Sequence, residues 1–301
     1  MTRMIAVGID GSPESRAAAE WAAREAGLRD VPVHLLHVWE PVPEPMAQAP
    51  LLGADTHQHW TERVPRETTE GLRLRHPGVE VTSDQLSGRP ADALVKSSEG
   101  ADLLVLGSRA LSGLGGFLVG SVGQSVIAHT ETPVVLVRAG EQAADEHVMD
   151  PAGIPSAATA FRPVVVGIDS DSPEDGVLDF AFEEARRRGT ALHVVSGWQL
   201  PPYYPYVLAA GAAPEEGMAR RKASDLTRVL LPWRQKYPGV EVVEVSRSGS
   251  PARHLIDVSH DASLLVVGRR VRHNPFGAHI GAVTHAVLHH STAPVAVVAH
   301  P

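Results

Sequence analysis

The sequence predicts an α/β protein: two doubly wound domains in tandem, each a five-stranded parallel sheet of order 3-2-1-4-5 with helices on both faces. Three observations predict it. The chain is written twice, its short strands are apolar throughout, and strands alternate with amphipathic helical stretches. Continuously apolar strands fit a parallel sheet covered on both faces. Alternation of such strands with helices gives a doubly wound domain, and right-handed crossovers leave few topologies.

The repeat is plain at the level of residues. IAVGIDGSPES (5–15) matches VVVGIDSDSPE (164–174), VHLLHVW (33–39) matches LHVVSGW (192–198), and HPGVE (76–80) matches YPGVE (237–241). SGRPADALV (87–95) matches SGSPARHLI (248–256), ADLLVLGSR (101–109) matches ASLLVVGRR (262–270), and TPVVLV (132–137) matches APVAVV (293–298). The offset is 159 from Asp10 to Asp169 and 161 from Gly107 to Gly268. The two extra residues fall where both copies are rich in Pro and Ala and read as loops. The expected domains are residues 1–139 and 161–301, with 140–160 as a linker carrying acidic, Ala, Pro and Gly residues and no period.

In the first copy the strands are IAVGI, HLLHV, VEVTS, LLVLG and VVLVR. SRAAAEWAAREAG sets Ala18, Trp21, Ala22 and Ala26 along one helical face. Trp21, Trp39 and Trp198 read as core or interface residues. A second helix is expected from about His57 to Arg75, tolerating Pro65 near its first turns. The stretch GSRALSGLGGFLVGS (107–121) then carries five glycines in fifteen residues between a buried strand and a helix. Either it is a flexible surface loop, or something approaches its backbone closely.

Composition narrows the function classes. The 301 residues suit two domains, and 43% hydrophobic with 21% charged residues is ordinary for a globular protein. No apolar run approaches the about 20 residues of a membrane span. The N-terminus lacks the pattern of a signal peptide, so the expected location is cytoplasmic. With no cysteine, disulfides, Cys–zinc sites and thiol catalysis are excluded. Residues 1–150 carry 12 basic and 21 acidic side chains, and 151–301 carry 15 and 14, so neither half offers a nucleic-acid surface. The sixteen histidines read as exposed or packed rather than as metal ligands. No G-x4-G-K-[ST] and no G-x-S-x-G occurs.

In a doubly wound sheet, ligands bind beyond the carboxyl ends of the strands at the switch point. There Asp10 ends the first strand and Gly107 the fourth. Asp10 suits a ribose hydroxyl, and the helix beginning near Gly120 and Ser121 favours a phosphate through its free N–H groups. Ser121 is a cap or a phosphate ligand. Asp10-Gly11-Ser12-Pro13 is equally a good turn and helix start, and Gly120-Ser121 equally a plain cap.

At these residues the chain resembles the universal stress protein family, over nearly its whole length and as two tandem Rossmann-like copies. The family signature is G-x2-G-x9-G-[ST]. The first copy reads Gly107, Ser108, Arg109, Ala110, nine residues, Gly120, Ser121, with alanine replacing one glycine. The resemblance implies that Asp10 contacts the ribose or phosphates, that the Val38 backbone meets adenine, and that Val122 adds an N–H. It implies ATP, with Mg²⁺, as cofactor, with ADP and cyclic AMP as alternatives. It also implies a stress-response regulator rather than an enzyme, pairing of the two copies through their last strands as a pseudo-dimer, and a further association of two chains. A regulatory protein partner is expected, without nucleic acid or membrane. A nucleotide-free interaction scaffold and a slow ATPase or nucleotidyl transferase are the rival readings.

The departures carry their own expectations. If position 110 needs φ > 0, Ala110 costs roughly 1–2 kcal/mol, which Gly113, Gly115 and Gly116 relieve by another loop path. The second copy, around Asp169, reads Gly268, Arg269, Arg270, Val271, nine residues, Gly281, Ala282. Val271 tolerates φ > 0 poorly, and Ala282 has no hydroxyl. Losing a hydrogen bond to a charged group removes roughly 1.5–3 kcal/mol. Arg269, Arg270, Arg272 and His273 either compensate or form a solvated loop. Tyr203, Tyr204 and Tyr206 lie in the second copy's loop and either stack on a ligand or cover the crevice, cover being the preferred reading. The expectation is one competent site in the first copy and a weak or altered one in the second.

Overall fold

The computed structural model of the chain describes residues 3–40, 54–111, 116–199, 214–271 and 280–301, with backbone alone at 54–62, 109–111, 116–118 and 214–215. Gly113, Gly115, Arg272, His273, Tyr203, Tyr204 and Tyr206 lie outside the described residues. The chain divides into two compact units, one built chiefly on Met1–Ala143, the other on Ala144–Arg270 and Gly281–Pro301.

The first unit runs β1 (Ile5–Ile9), α1 (Pro13–Arg29), β2 (Val33–Trp39), α2 (Ala54–Arg75), β3 (Val81–Ser87), α3 (Pro90–Ser97), β4 (Leu103–Leu111), β5 (Gly116–Leu118), α4 (Ser121–His129) and β6 (Val134–Arg138). Its parallel sheet has the order β3-β2-β1-β4-β6, and β5 folds back antiparallel on the end of β4. The central strand shows why its sequence is apolar without alternation. Leu103, Leu104, Val105 and Leu106 are all buried, because helices cover both faces.

Local chemistry fixes α1. Ser12 is its N-cap and accepts the Ser15 N–H at 3.1 Å, with Pro13 preset for the first turn. The helix stops at Asp30, which takes a left-handed conformation at φ 54° and returns its N–H to Ala26. Ala18, Trp21, Ala22 and Ala26 form the buried face, as the period requires. Trp198 is also buried and Trp39 half-buried. In α2, Pro65 lies well inside the helix rather than in its first turns.

The second unit repeats this: β7 (Val164–Gly167), α5 (Asp175–Arg188), β8 (Leu192–Trp198), α6 (Pro214–Lys236), β9 (Val242–Ser248), α7 (Pro251–Val258), β10 (Leu264–Arg270), α8 (Ala282–His290) and β11 (Val295–His300). The order is β9-β8-β7-β10-β11, again all parallel. The stretch read as a linker is partly folded. Ala143–Glu146 is a 3-10 turn, His147 bridges Phe161, the Val148 N–H reaches Ala160 O at 2.9 Å, and Glu146 and His147 are buried.

Two short helices have no counterpart in the periodicity. α3 and α7 have eight residues each and bury a single apolar anchor, Leu94 or Leu255. These anchors explain the glycine of VGID. A Cβ on Gly167 would lie 2.6 Å from Leu255 Cδ1, while one on Gly8 would lie 2.6 Å from Leu106 Cδ2 of β4 and 3.3 Å from Leu94 Cδ2, so at Gly8 the anchor shares the cause with the neighbouring strand.

Candidate functional site

The register brings the predicted residues of the first unit to one end of the sheet. Val7 pairs with Val105 across β1 and β4. This is the last pair of that ladder, so Asp10 and Gly107 each lie just past the end of the pairing, toward the carboxyl ends of the two strands. The chain then leaves β1 through a locked turn. Asp10 Oδ1 accepts the Ser12 N–H at 3.0 Å, and the Asp10 N–H donates to Ser15 Oγ at 3.3 Å. Gly11 has φ +80°, a conformation that favours glycine, and a Cβ there would stand a tight 3.0 Å from Val64 Cγ2. Asp10 is therefore both a turn residue and an exposed carboxylate held at the end of β1.

Val38 lies one residue beyond the last β1 partner, since Ile9 pairs with His37. The Trp39 carbonyl accepts from Gly88 N–H at 3.1 Å, on the β3 side. Backbone groups alternate along a strand, so the Val38 carbonyl faces the other side, where β1 has ended.

The glycines of the signature divide by cause. A Cβ on Gly107 would lie 2.4 Å from the Glu14 carbonyl carbon, so this glycine admits the first turn of α1. Gly120 is different. Its φ of −61° and ψ of 161° suit any residue, and a Cβ would meet nothing within 4 Å among the described residues. Among the described residues, therefore, nothing at this position demands glycine.

Gly120, not Ser121, is the N-cap of α4, and no side chain caps the helix. Ser121 is its first helical residue and Val122 its second. The leading N–H groups of α4 thus lack the side-chain acceptor that Ser12 supplies to α1. Such an end attracts an anion.

Ala110 corrects one expectation. It belongs to the antiparallel ladder, opposite Phe117, so its backbone is extended and its methyl carries no left-handed cost. Arg109 pairs with Leu118 in the same ladder. Val271 is not strained either, because Asp30 is the one non-glycine with positive φ among the described residues. The steric argument against both positions fails for this conformation.

His37 is a residue that the sequence analysis passed over. It is buried, and its Nδ1 has no hydrogen-bond partner among the described residues. Burial lowers its pKa below the usual histidine value, and the Asp10 carboxylate opposes this only in part. It is a neutral imidazole beside Asp10 with a ring nitrogen unsatisfied. The available signal was its place between the apolar run of β2 and Val38, where the second copy has Ser196.

The second unit keeps the frame and changes the lining. Asp169 Oδ1 accepts the Asp171 N–H at 3.0 Å, repeating the Asp10 hydrogen bond without the positive φ that Gly11 takes. Ser170 replaces Gly11 and receives a hydrogen bond from Ser196 at 3.3 Å. Gly281 caps α8 without a side-chain bond, again with nothing within 4 Å of a Cβ among the described residues, and Ala282 begins the helix. At Gly268 a Cβ would meet His300 Nε2 at 2.9 Å. His300 Nδ1 lies 3.2 Å from Glu174 Oε1, and Arg270 Nη2 lies 3.7 Å from the same oxygen. Asp171 is paired with Lys222 at 2.5 Å. Arg269 and Arg270 therefore belong to β10, not to a solvated loop, with Arg269 buried.

Fold and crevices together define a tandem doubly wound α/β protein with one switch-point crevice per unit. The model of the universal stress protein family matches residues 1–138 and again 160–299. The chain belongs to that family. A universal stress protein of Mycolicibacterium smegmatis is 30% identical, covering 98% of this chain and 96% of its own. One from Mycobacterium tuberculosis is 33% identical, covering 99% and 95%. The crystal structure of a universal stress protein from Archaeoglobus fulgidus superposes with a TM-score of 0.70 at 19% identity, covering 99% of this chain and 98% of its own, and shares the fold. Among the described residues no helix is long and apolar enough to cross a membrane.

Proposed function

We propose that the protein is a cytoplasmic stress-response regulator that binds an adenine nucleotide, ATP with Mg²⁺ first, in the crevice of its first unit. The observation that carries this reading is Gly120. Among the described residues it leaves space in front of a helix end without a side-chain cap, and that helix follows a strand whose neighbour ends in Asp10. The triphosphate lies against the N–H groups of Ser121 and Val122, with the Ser121 hydroxyl as a further donor. Asp10 takes the ribose hydroxyls, the Val38 carbonyl takes the adenine amino group, and Arg109 stands by the phosphates. His37 adds a neutral imidazole behind Asp10. ADP and cyclic AMP use the same groups with fewer phosphate contacts.

The second unit, with Asp169, Gly268 and Gly281, binds weakly. Its crevice has gained Asp171 and Glu174, has His300 over Gly268, and offers no hydroxyl at Ala282. The domains are bounded at 1–139 and 161–301. They pair through Val134–Val137 of β6 and Val295–Val298 of β11, the apolar strands that end each unit's own sheet order. Two chains associate again, and the nucleotide alters the surface met by a regulatory partner.

Calorimetric titration with ATP and Mg²⁺ tests the reading. One nucleotide per chain, lost in Ser121→Ala by roughly tenfold or more in affinity, is expected. Two equal sites would overturn the asymmetry, and no binding would overturn the function.

A further inference from the structure

We propose that the cleft between α2 and β3 in the first unit binds a small carboxylate, whose carboxyl group takes the place that the Glu244 side chain fills in the second unit. The cleft has a volume of about 590 Å³ and is lined by Arg66, Thr69, Glu70, Arg73 and Ser83 among others. None of these belongs to the nucleotide crevice.

The duplication supplies the comparison within one chain. At the offset of 161, Arg66 corresponds to Thr227, Thr69 to Leu230, Arg73 to Arg234, Val81 to Val242 and Ser83 to Glu244. In the second unit a carboxylate occupies this place. Arg234 Nη2 donates to Val242 O at 3.2 Å and to Glu244 Oε1 at 2.8 Å. Thr227 Oγ1 donates to Glu244 Oε2 at 2.6 Å. Both carboxylate oxygens are held, one by a guanidinium and one by a hydroxyl.

The first unit keeps the cation and lacks the carboxylate. Arg73 still grips its strand, with Nε at 3.2 Å and Nη2 at 2.5 Å from Val81 O. Ser83 is too short to reach it as Glu244 reaches Arg234. Where Thr227 stands in the second unit, the first has a second cation, Arg66, with no ion pair among the described residues. Two guanidinium groups thus face one carboxylate, Glu70, across a cleft with room for a molecule.

Thr69 is the second, independent observation. It lines the cleft, is 7% exposed, and its Oγ1 is buried with no hydrogen-bond partner among the described residues. An unpaired buried hydroxyl costs about 1–3 kcal/mol. Packing does not require it, because Leu230 fills the same position fully buried. A bound carboxylate supplies the missing acceptor. It also restores the Arg-plus-hydroxyl grip seen on Glu244.

The test uses the whole chain and glutarate, whose carboxyl arm has the reach of a glutamate side chain. Calorimetric titration at constant ionic strength is expected to show one glutarate site that inorganic phosphate does not displace. Ser83→Glu, which writes the second copy's carboxylate into the first, is expected to abolish glutarate binding and raise the thermal midpoint. Arg66→Gln, at an exposed position, is expected to weaken glutarate by about tenfold or more while leaving ATP titration unchanged. Absence of binding at millimolar glutarate overturns the proposal. So does binding that survives both substitutions, or displacement by phosphate as effective as by propionate. An acidic peptide that binds where glutarate fails would assign the cleft to a protein partner and likewise overturn it.

Discussion

Replacing Gly107 by alanine would place a Cβ 2.4 Å from the Glu14 carbonyl carbon, 2.6 Å from its oxygen and 2.8 Å from its Cβ. The first two are helix backbone and the Cβ is bonded directly to it, so none can swing aside as a side-chain tip would. The first turn of α1 would have to retreat by roughly 1 Å to restore van der Waals contact. That turn is anchored by the Ser12 cap on Ser15, by Ser15 to the Asp10 N–H, and by Arg16 Nη2 to Gly11 O at 2.9 Å. Overpacking of this kind costs about 1–3 kcal/mol, and a disturbed cap adds about 1 kcal/mol. The expected loss is therefore about 2–4 kcal/mol, or roughly 5–15 °C in the melting of the first unit. Gly120→Ala is the control. Its Cβ meets nothing among the described residues, and the loss of a glycine cap costs about 1 kcal/mol or less, yet its methyl enters the space assigned to phosphate. Thermal and urea unfolding, read beside ATP titration, separate the two variants. Gly107→Ala should unfold early, while Gly120→Ala should stay folded and lose affinity. A Gly107→Ala protein within about 0.5 kcal/mol of the parent would refute the close-approach argument. Undiminished ATP binding by Gly120→Ala would refute the placement of the site.

Two further outcomes follow from titratable groups. Burial lowers the folded-state pKa of His37, and of His193, below the ordinary value of 6.5. The unfolded chain therefore protonates first as pH falls. Stability is fully present above about pH 6.5 and declines below it, down to the folded-state pKa values. His37→Gln should flatten part of that decline in urea titrations between about pH 7 and 5, and an unchanged slope would exclude His37 as a contributor. Tyr237 is pushed up to about 12 by burial and by its hydrogen bond to Asp179 at 2.7 Å. Alkaline absorbance titration should show a late phenolate step that Tyr237→Phe removes, and its persistence in that variant would refute the assignment.

The architecture follows from patterns local to the chain. An apolar run such as LLVL can be satisfied only where both faces are covered. The spacing of Ala18, Trp21, Ala22 and Ala26 can be satisfied only by a helix with one buried side. Repetition of these patterns in the same order made the second unit legible from the first. These are local constraints, written in periods that a chain shows before it folds. The eight-residue helices α3 and α7 escaped because one buried leucine each makes no period. The ladder through Ala110 escaped because glycine-rich composition does not reveal a strand partner.

The meaning of individual site residues was decided by neighbours distant in sequence. Gly107 and Gly120 are the same letter in one motif, but the first admits a helix and the second leaves room open. His37 reads as one more residue of a strand until burial and the nearby Asp10 carboxylate give it an unsatisfied nitrogen and a lowered pKa. Ser83 reads as an unremarkable edge-strand serine until Arg73, ten residues away, is seen beside it without the carboxylate that Arg234 holds. Periodicity is set by the chain's own geometry and so survives in the sequence. Contact, burial and charge pairing depend on which segments meet, and only the tertiary structure brings them together.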